Sequence, residues 1–169
     1  YSRWKWKSLR GKKYGKLIDS YEYVIRFNCY DDQCCIQDVG TKCNLLVSNN
    51  SSRNLFYALN RSKHQNVLLF THGNNMCKTI LLNMLATIFQ NVFISDQENL
   101  CNQKCSNGLH LIHYLLHMKH PDITVCGFDH STLHFDNYIY NKPVPHDFQD
   151  EKQILNNLIR HGRVKQLHI

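Results

Sequence analysis

The first residue whose position suggests chemistry is an asparagine that directly follows an apolar run. Residues 23–27 read Tyr-Val-Ile-Arg-Phe, which is typical of a β-strand, and Asn28 comes next. At the carboxyl end of a parallel strand, a side-chain amide can both donate to and accept from a bound nucleotide. The alternative is an ordinary loop asparagine, and Asn28 alone does not decide between the two interpretations.

A second candidate is the tripeptide Ser106-Asn107-Gly108, which stands just before a segment with helical periodicity over 109–119. The N-terminus of a helix presents free backbone N–H groups, and together with a hydroxyl and a close-approach glycine these can hold a phosphate. The alternative interpretation of Ser106 is a helix N-cap without a ligand.

Histidines form a third group: His110, His113 and His117 lie at i, i+3 and i+7 of that helix, and His130 and His134 follow. Imidazoles at such spacing can bind a transition metal. No carboxylate or cysteine completes an obvious cage around them. We therefore interpret them as one polar face of a half-buried helix and predict no metal site.

The elements that must position these residues alternate along the chain. Strands are predicted at 23–27, 44–48, 66–71, 91–95, 123–127 and 164–169, and helices at 54–60, 78–89, 109–119 and 148–161. The continuous apolar run 66–71 is typical of a strand buried on both faces. The pattern predicts an α/β fold with a mostly parallel sheet flanked by helices, in a single domain over 1–169 whose basic segment 1–16 is irregular.

The net charge of the chain limits the classes of partner that we expect it to bind. The net charge is +7, which favours an acidic partner: nucleic acid, nucleotide or anionic glycan. Trp4 and Trp6 alternate with lysines and could stack on nucleic acid, but a solvated basic terminus is commoner, so nucleic acid is not the favoured partner. No apolar run approaches the length of a membrane span, and no signal peptide is visible.

Cysteines and sequons bear on the compartment. The eight cysteines permit disulfides in an oxidising compartment, and the sequons at Asn49, Asn50 and Asn60 would accept glycans in a secretory lumen. The abundance of asparagine, lysine, isoleucine and tyrosine is typical of an AT-rich coding sequence, viral or from an AT-rich genome.

Three segments together resemble glycosyltransferase family 29, the eukaryotic-type sialyltransferases. LRGKKYGKLIDSYEYVIRFN (9–28) with DVGTK (38–42) is similar to the long motif of that family. SNGLHLIHYLLH (106–117) with DITVCGFD (122–129) is similar to its short motif, and HDFQDE (146–151) to its very short motif. The three segments follow one another in the order that the family has.

The resemblance implies a Rossmann-like sheet of a GT-A-like variant. It also implies metal-independent transfer of sialic acid from CMP-sialic acid, without a cofactor, to a galactose-terminated or sialylated glycan. The expected compartment is the Golgi or secretory lumen, or the cytoplasm for a viral or bacterial-like enzyme.

The resemblance also assigns roles to residues. Asn28, Ser106, Asn107, Gly108 and Asp129 would bind the donor. His146 would be the catalytic base, while Glu151, Tyr138 and Tyr140 would organise the site. A histidine suits proton transfer near neutral pH, although His146 could instead be a capping residue beside Asp147.

The chain departs from the family at three places. The tyrosine-rich motif that the family has upstream of the catalytic histidine is imperfect here and reads HFDNYIY (134–140). Lys5 stands where the family has a nucleotide-binding asparagine, and His117 and Lys119 stand in the helix that carries a family disulfide cysteine. From the three ordered motifs we predict a sialyltransferase, and because of these departures we keep two alternatives. One is a catalytically impaired relative that binds nucleotide, glycan or a protein partner; the other is a basic nucleic-acid-binding protein.

Overall fold

The chain divides into two compact units, and the division falls inside the long motif. The computed structural model describes residues 7–28, 35–49, 66–71, 89–96, 105–129 and 148–167. One unit comprises residues 14–99, and the other comprises residues 1–13 with 100–169. In the described part of the chain, no helix is both long enough and apolar enough to cross a membrane.

A four-stranded parallel sheet forms the 14–99 unit. Its strands are β1 (Ile25–Phe27), β2 (Leu45–Asn49), β3 (Asn66–Thr71) and β4 (Asn91–Asp96), in the order β1-β2-β3-β4. β3 lies between β2 and β4, and Val67 within it is fully buried, as expected for a continuous apolar run. The α/β class with a parallel sheet is confirmed, whereas the Rossmann-like and GT-A-like details stay predictions.

Asparagines hold the amino ends of these strands together. The Asn44 side chain accepts the backbone N–H of Val24 at 2.8 Å, and Asn66 donates to the Asn44 carbonyl at 3.0 Å. Asn91 in turn donates to the Asn66 side chain at 2.8 Å. Because each amide links neighbouring strands, these bonds help to fix the register of the sheet.

Two short helices of this unit have no counterpart in the sequence prediction, because one helical turn gives no measurable periodicity. They are α1 (Gly15–Asp19) and α2 (Ile36–Val39). A Cβ at Gly15 would lie 2.1 Å from the Ile36 carbonyl oxygen and 2.8 Å from the Gly40 nitrogen. The two helices pack so closely that only glycine fits at this position.

The other unit packs two longer helices with a small sheet. Its elements are a 3-10 helix (Lys7–Leu9), α3 (Asn107–His117), β5 (Thr124–Val125), α4 (Phe148–Arg160) and β6 (Lys165–Gln166), with β5 and β6 parallel. Its core consists of the buried side chains of Ile112, Ile123, Val125, Leu155 and Val164. α3, β5, α4 and the residue before β6 thus share one apolar centre, and the hydrogen bonds between Ser106 and Glu151 place the start of α4 near the start of α3.

The observed elements differ from the predicted ones mainly at their ends. α3 begins two residues earlier than predicted, and β5 and β6 are shorter than predicted. The basic segment 1–16 is not irregular throughout, because it contains the 3-10 helix and the start of α1. The predicted helix over 54–60, and all but the last residue of the one over 78–89, lie outside the described residues. The single domain over 1–169 stays a prediction.

Candidate functional site

Asn28 stands at the carboxyl end of β1, where the chain leaves the sheet. Its backbone N–H donates to the Val47 carbonyl at 2.7 Å, so it continues the pairing of β1 with β2 by one residue. Its φ of 52° lies in the left-handed region, which asparagine tolerates better than most residues. A polar residue in a less populated conformation at this end of a parallel sheet is typical of a ligand site.

A loop near β1 is held by the carboxylate of Asp19, at the end of α1. This carboxylate accepts the backbone N–H groups of Thr41 and Lys42 at 2.9–3.0 Å. Arg26 donates to the carbonyl of Val39 at 2.6 Å and to that of Lys42 at 3.1 Å, and its Nη2 lies 3.7 Å from Asp19. These bonds tie residues 19–26 to residues 39–42, the second part of the long motif, and no local pattern in the sequence predicts the pairing.

Ser106 in the other unit is bound at two atoms by Glu151. Its backbone N–H donates to Oε1 and its hydroxyl to Oε2 of Glu151, both at 2.6 Å. The hydroxyl also accepts the N–H of Leu109 at 3.4 Å, so Ser106 is the N-cap of α3. Glu151 is 4% exposed, so water has little access to these bonds. The structure thus joins the short and very short motifs through one buried carboxylate.

This geometry changes what the Ser106-Asn107-Gly108 segment offers to a phosphate. The carboxylate of Glu151 already takes the Ser106 N–H and O–H, which the cradle interpretation reserved for a ligand. At Gly108, an added Cβ would lie 2.5 Å from Cε1 of the Phe128 ring. Packing of Phe128 therefore explains the glycine, and Asn107, which is 7% exposed, is buried beside it. Donor binding by these residues stays a prediction.

Asp129 follows Phe128 directly and contacts the N-terminal segment of the chain. Its Oδ2 accepts the backbone N–H of Ser8 at 3.2 Å. The structure therefore brings Ser106, Gly108, Asp129 and Glu151 into one unit through a chain of contacts, while Asn28 belongs to the other unit. Asp129 as a donor-binding residue stays a prediction.

The histidines of α3 range from buried to exposed along the helix. His110 is 1% exposed, His113 is half-buried and His117 is exposed, because the first half of α3 lies in the interior and its end does not. The polar-face interpretation therefore fails for His110. Among the residues that the structure describes, no three histidine, cysteine, aspartate or glutamate side chains form a group suited to a metal ion.

Several assigned residues lie outside the described part of the chain. They are the base candidate His146, the site-organising candidates Tyr138 and Tyr140, and Lys5. His146 precedes the first residue of α4 by two positions. Its role as base, like those of the two tyrosines, stays a prediction.

An ion pair and the described cysteines bear on the electrostatics and redox chemistry of the chain. Lys165 donates a 2.7 Å hydrogen bond to the exposed carboxylate of Asp122, and this bond and charge lower the pKa of Asp122 below its ordinary 3.8. Cys105, immediately before Ser106, is in a disulfide, whereas Cys35, Cys43 and Cys126 carry thiols. The disulfide partner of Cys105 lies outside the described residues.

The comparison with family models agrees with the long motif, and its match ends within the first two residues of the short motif. Residues 7–107, more than half of the chain, match the model of glycosyltransferase family 29 (sialyltransferase). This range includes the Asp19 loop, Asn28, Ser106 and Asn107. No curated protein matches the chain significantly. The family match and the motif order lead to one conclusion: the chain belongs to glycosyltransferase family 29, the sialyltransferases.

Proposed function

We propose that this protein transfers sialic acid from CMP-sialic acid to a galactose-terminated or sialylated glycan, with inversion and without a metal. Membership of the family implies a nucleotide-sugar donor and a glycan acceptor. The observation that carries the proposal is the Ser106–Glu151 link, in which two of the family's motifs meet at the buried start of a helix. The corresponding compartment is the Golgi or secretory lumen.

The proposed chemistry is a displacement at the anomeric carbon of sialic acid. His146 takes the proton of an acceptor hydroxyl, whose oxygen forms the new bond to the anomeric carbon. The bond from that carbon to the phosphate oxygen breaks, and CMP leaves with the electron pair. Attack from the face opposite to CMP inverts the configuration.

Glu151 supports this reaction without contact with the reacting atoms. It lies in the first turn of α4, and His146 stands two residues before that helix begins. Because its carboxylate is bonded to Ser106, the first turn of α4 is tied to the first turn of α3. We infer that this link positions the start of α4, which His146 precedes by two residues, and that Ser106 acts through position and not through direct contact with the phosphate.

The test is a transfer assay with CMP-sialic acid and a galactose-terminated acceptor. We expect His146→Ala to lower kcat by about 10²- to 10⁴-fold, the usual contribution of a general base. His117→Ala is the matched control, because His117 is an exposed histidine of the same unit, and its activity should equal that of the parent.

Transfer that survives in His146→Ala would remove the assigned base. No transfer by the parent, with CMP still raising its melting temperature, would favour the alternative of an impaired relative that binds nucleotide. A parent that neither transfers sialic acid nor shows a CMP-dependent shift in melting temperature would share only the fold of the family, without its activity. The nucleic-acid-binding alternative is not favoured by the family match.

A further inference from the structure

We propose that Asp129 is a positioning residue, which holds the N-terminal segment at Ser8 and Leu9 in place for the donor site and does not bind the donor itself. The inference rests on the proposed function, because it concerns the same donor site. It replaces the role that the motif resemblance implies for Asp129.

Asp129 contacts the N-terminal segment through a hydrogen bond to Ser8. The Asp129 carboxylate accepts the backbone N–H of Ser8 at 3.2 Å, although 121 positions separate the two residues. Leu9, the next residue, is 2% exposed, and its carbonyl accepts the N–H of Lys12 at 3.1 Å. The hydrogen bond thus links this segment to the short motif, and the buried side chain of Leu9 and the turn to Lys12 give the segment a defined local structure.

Asp129 directly follows a residue that packs against the start of α3. The preceding residue, Phe128, packs its ring against Gly108 in the first turn of α3. Gly127, with φ of +70°, allows the chain to turn just before them. One short segment therefore contacts the start of α3 through Phe128 and the N-terminal segment through Asp129.

The charge of Asp129 makes it an unsuitable partner for the anionic groups of the donor. A nucleotide donor carries phosphate, and sialic acid carries a carboxylate, and both would be repelled by the Asp129 carboxylate. A backbone N–H is a more suitable partner for Asp129, since the hydrogen bond gains from the charge of the acceptor. Ser8 also lies three positions after Lys5, at which the family has a nucleotide-binding asparagine. Fixing Ser8 therefore restricts the segment that the resemblance assigns to the nucleotide.

The test compares CMP affinity, donor kinetics and amide exchange in the parent and in Asp129 variants. In Asp129→Ala we expect the Kd for CMP and the KM for CMP-sialic acid to rise about three- to tenfold, which corresponds to one lost hydrogen bond, with kcat nearly unchanged. The Ser8 amide should exchange faster. Asp129→Asn should lie much closer to the parent than Asp129→Ala does, because the amide oxygen still accepts the Ser8 N–H and only the charge of the acceptor is lost.

Asp122→Ala is the matched control, since it removes an exposed carboxylate from the same unit and should change none of these quantities. If Asp129→Ala does not fold, Asp129→Glu serves instead, because it keeps the charge and moves the acceptor by one methylene. An Asp129→Asn variant with weak CMP binding but normal Ser8 exchange would show direct contact with the donor and overturn the proposal.

Unchanged CMP binding in both Asp129→Ala and Asp129→Glu, with a parent that binds CMP, would also overturn it. A parent that binds no CMP and transfers no sialic acid would instead refute the proposed function, and with it the positioning role of Asp129. The two failures are therefore distinguishable by the parent alone.

Discussion

Asp19 and Glu151, one in each compact unit, both accept hydrogen bonds from distant segments of the chain, and their surroundings differ. Asp19 accepts the N–H groups of Thr41 and Lys42, and its side chain is 31% exposed. Glu151 accepts the N–H and O–H of Ser106 and is 4% exposed. The Asp19 bonds close a loop within one motif, whereas the Glu151 bonds join two motifs 45 positions apart.

The difference shows that similar hydrogen bonds can carry unequal energetic weight. Water can replace the bonds of Asp19 when they break, but a broken bond at Glu151 leaves a donor without a partner in the interior. The loss of hydrogen bonds at Asp19 should therefore cost less than the same loss at the junction between the short and very short motifs. Substitutions on either side of this comparison measure how much burial contributes.

Removing the buried carboxylate should have the largest effect. We expect Glu151→Ala to lower the free energy of unfolding by about 3 to 4 kcal/mol, because two hydrogen bonds to a charged acceptor are lost. Glu151→Gln should cost less, about 1 kcal/mol, since its amide oxygen accepts the Ser106 N–H and its NH₂ donates to the hydroxyl. Urea unfolding followed by circular dichroism measures both. A smaller loss in Glu151→Ala than in Asp19→Ala would contradict the role given to burial.

Crowding of the Asp19 loop should have the next largest effect. Gly40 has φ of 73° and ψ of −176°, and an added Cβ would lie 2.2 Å from Oδ1 of Asp19 and 2.6 Å from the Gly15 oxygen. Gly40→Ala should cost about 3 kcal/mol through backbone strain and collision. Gly162→Ala is the matched control, with φ of 67° and nothing within 4 Å, and should cost about 1 kcal/mol. Equal losses in urea unfolding would show that φ alone matters.

Removing the half-exposed carboxylate should have a moderate effect. We expect Asp19→Ala to cost about 1 to 2 kcal/mol, because solvent satisfies much of what the Thr41 and Lys42 N–H groups lose. Faster exchange of those two amides should accompany the loss. Glu22→Ala, an exposed carboxylate of the same unit, should change stability by less than about 0.5 kcal/mol. If the Thr41 and Lys42 amides keep their protection in Asp19→Ala, Asp19 does not hold the loop.

Removing the carboxylate of Asp122, which is exposed and paired with Lys165, should have the smallest effect. It extends the comparison to a carboxylate that lies mostly in solvent. The pKa of Asp122 is lowered by Lys165, so the pair stabilises the fold above the ordinary pKa of 3.8 and stops doing so as pH falls through the lowered value. The melting temperatures of the parent and Asp122→Asn should therefore differ slightly near neutral pH and converge in acid. Added salt should also remove the difference, since both side chains are exposed. A difference that persists in acid would exclude this ion pair as its cause.

Local patterns predicted the elements well where they were long enough to show a period. The apolar run 66–71 predicted β3 with its observed bounds, and Ser106 before a periodic segment predicted the start of α3 within two residues. The one-turn helices α1 and α2 were missed, because five or four residues contain too little of a repeat. The family itself followed from the motifs, which are local strings in a fixed order.

The partners of the polar residues were decided by tertiary structure. The sequence predicted that Ser106 could cap a helix and that Gly108 would allow a phosphate to approach closely, and it placed Glu151 in a segment that resembles a family motif. It did not determine that Glu151 would take the Ser106 N–H, that Phe128 would cover Gly108, or that Asp129 would accept from Ser8. Hydrophobic period and capping depend on residues within a few positions of one another. A hydrogen bond between residues 45 or 121 positions apart depends on how the apolar core packs the elements that carry them.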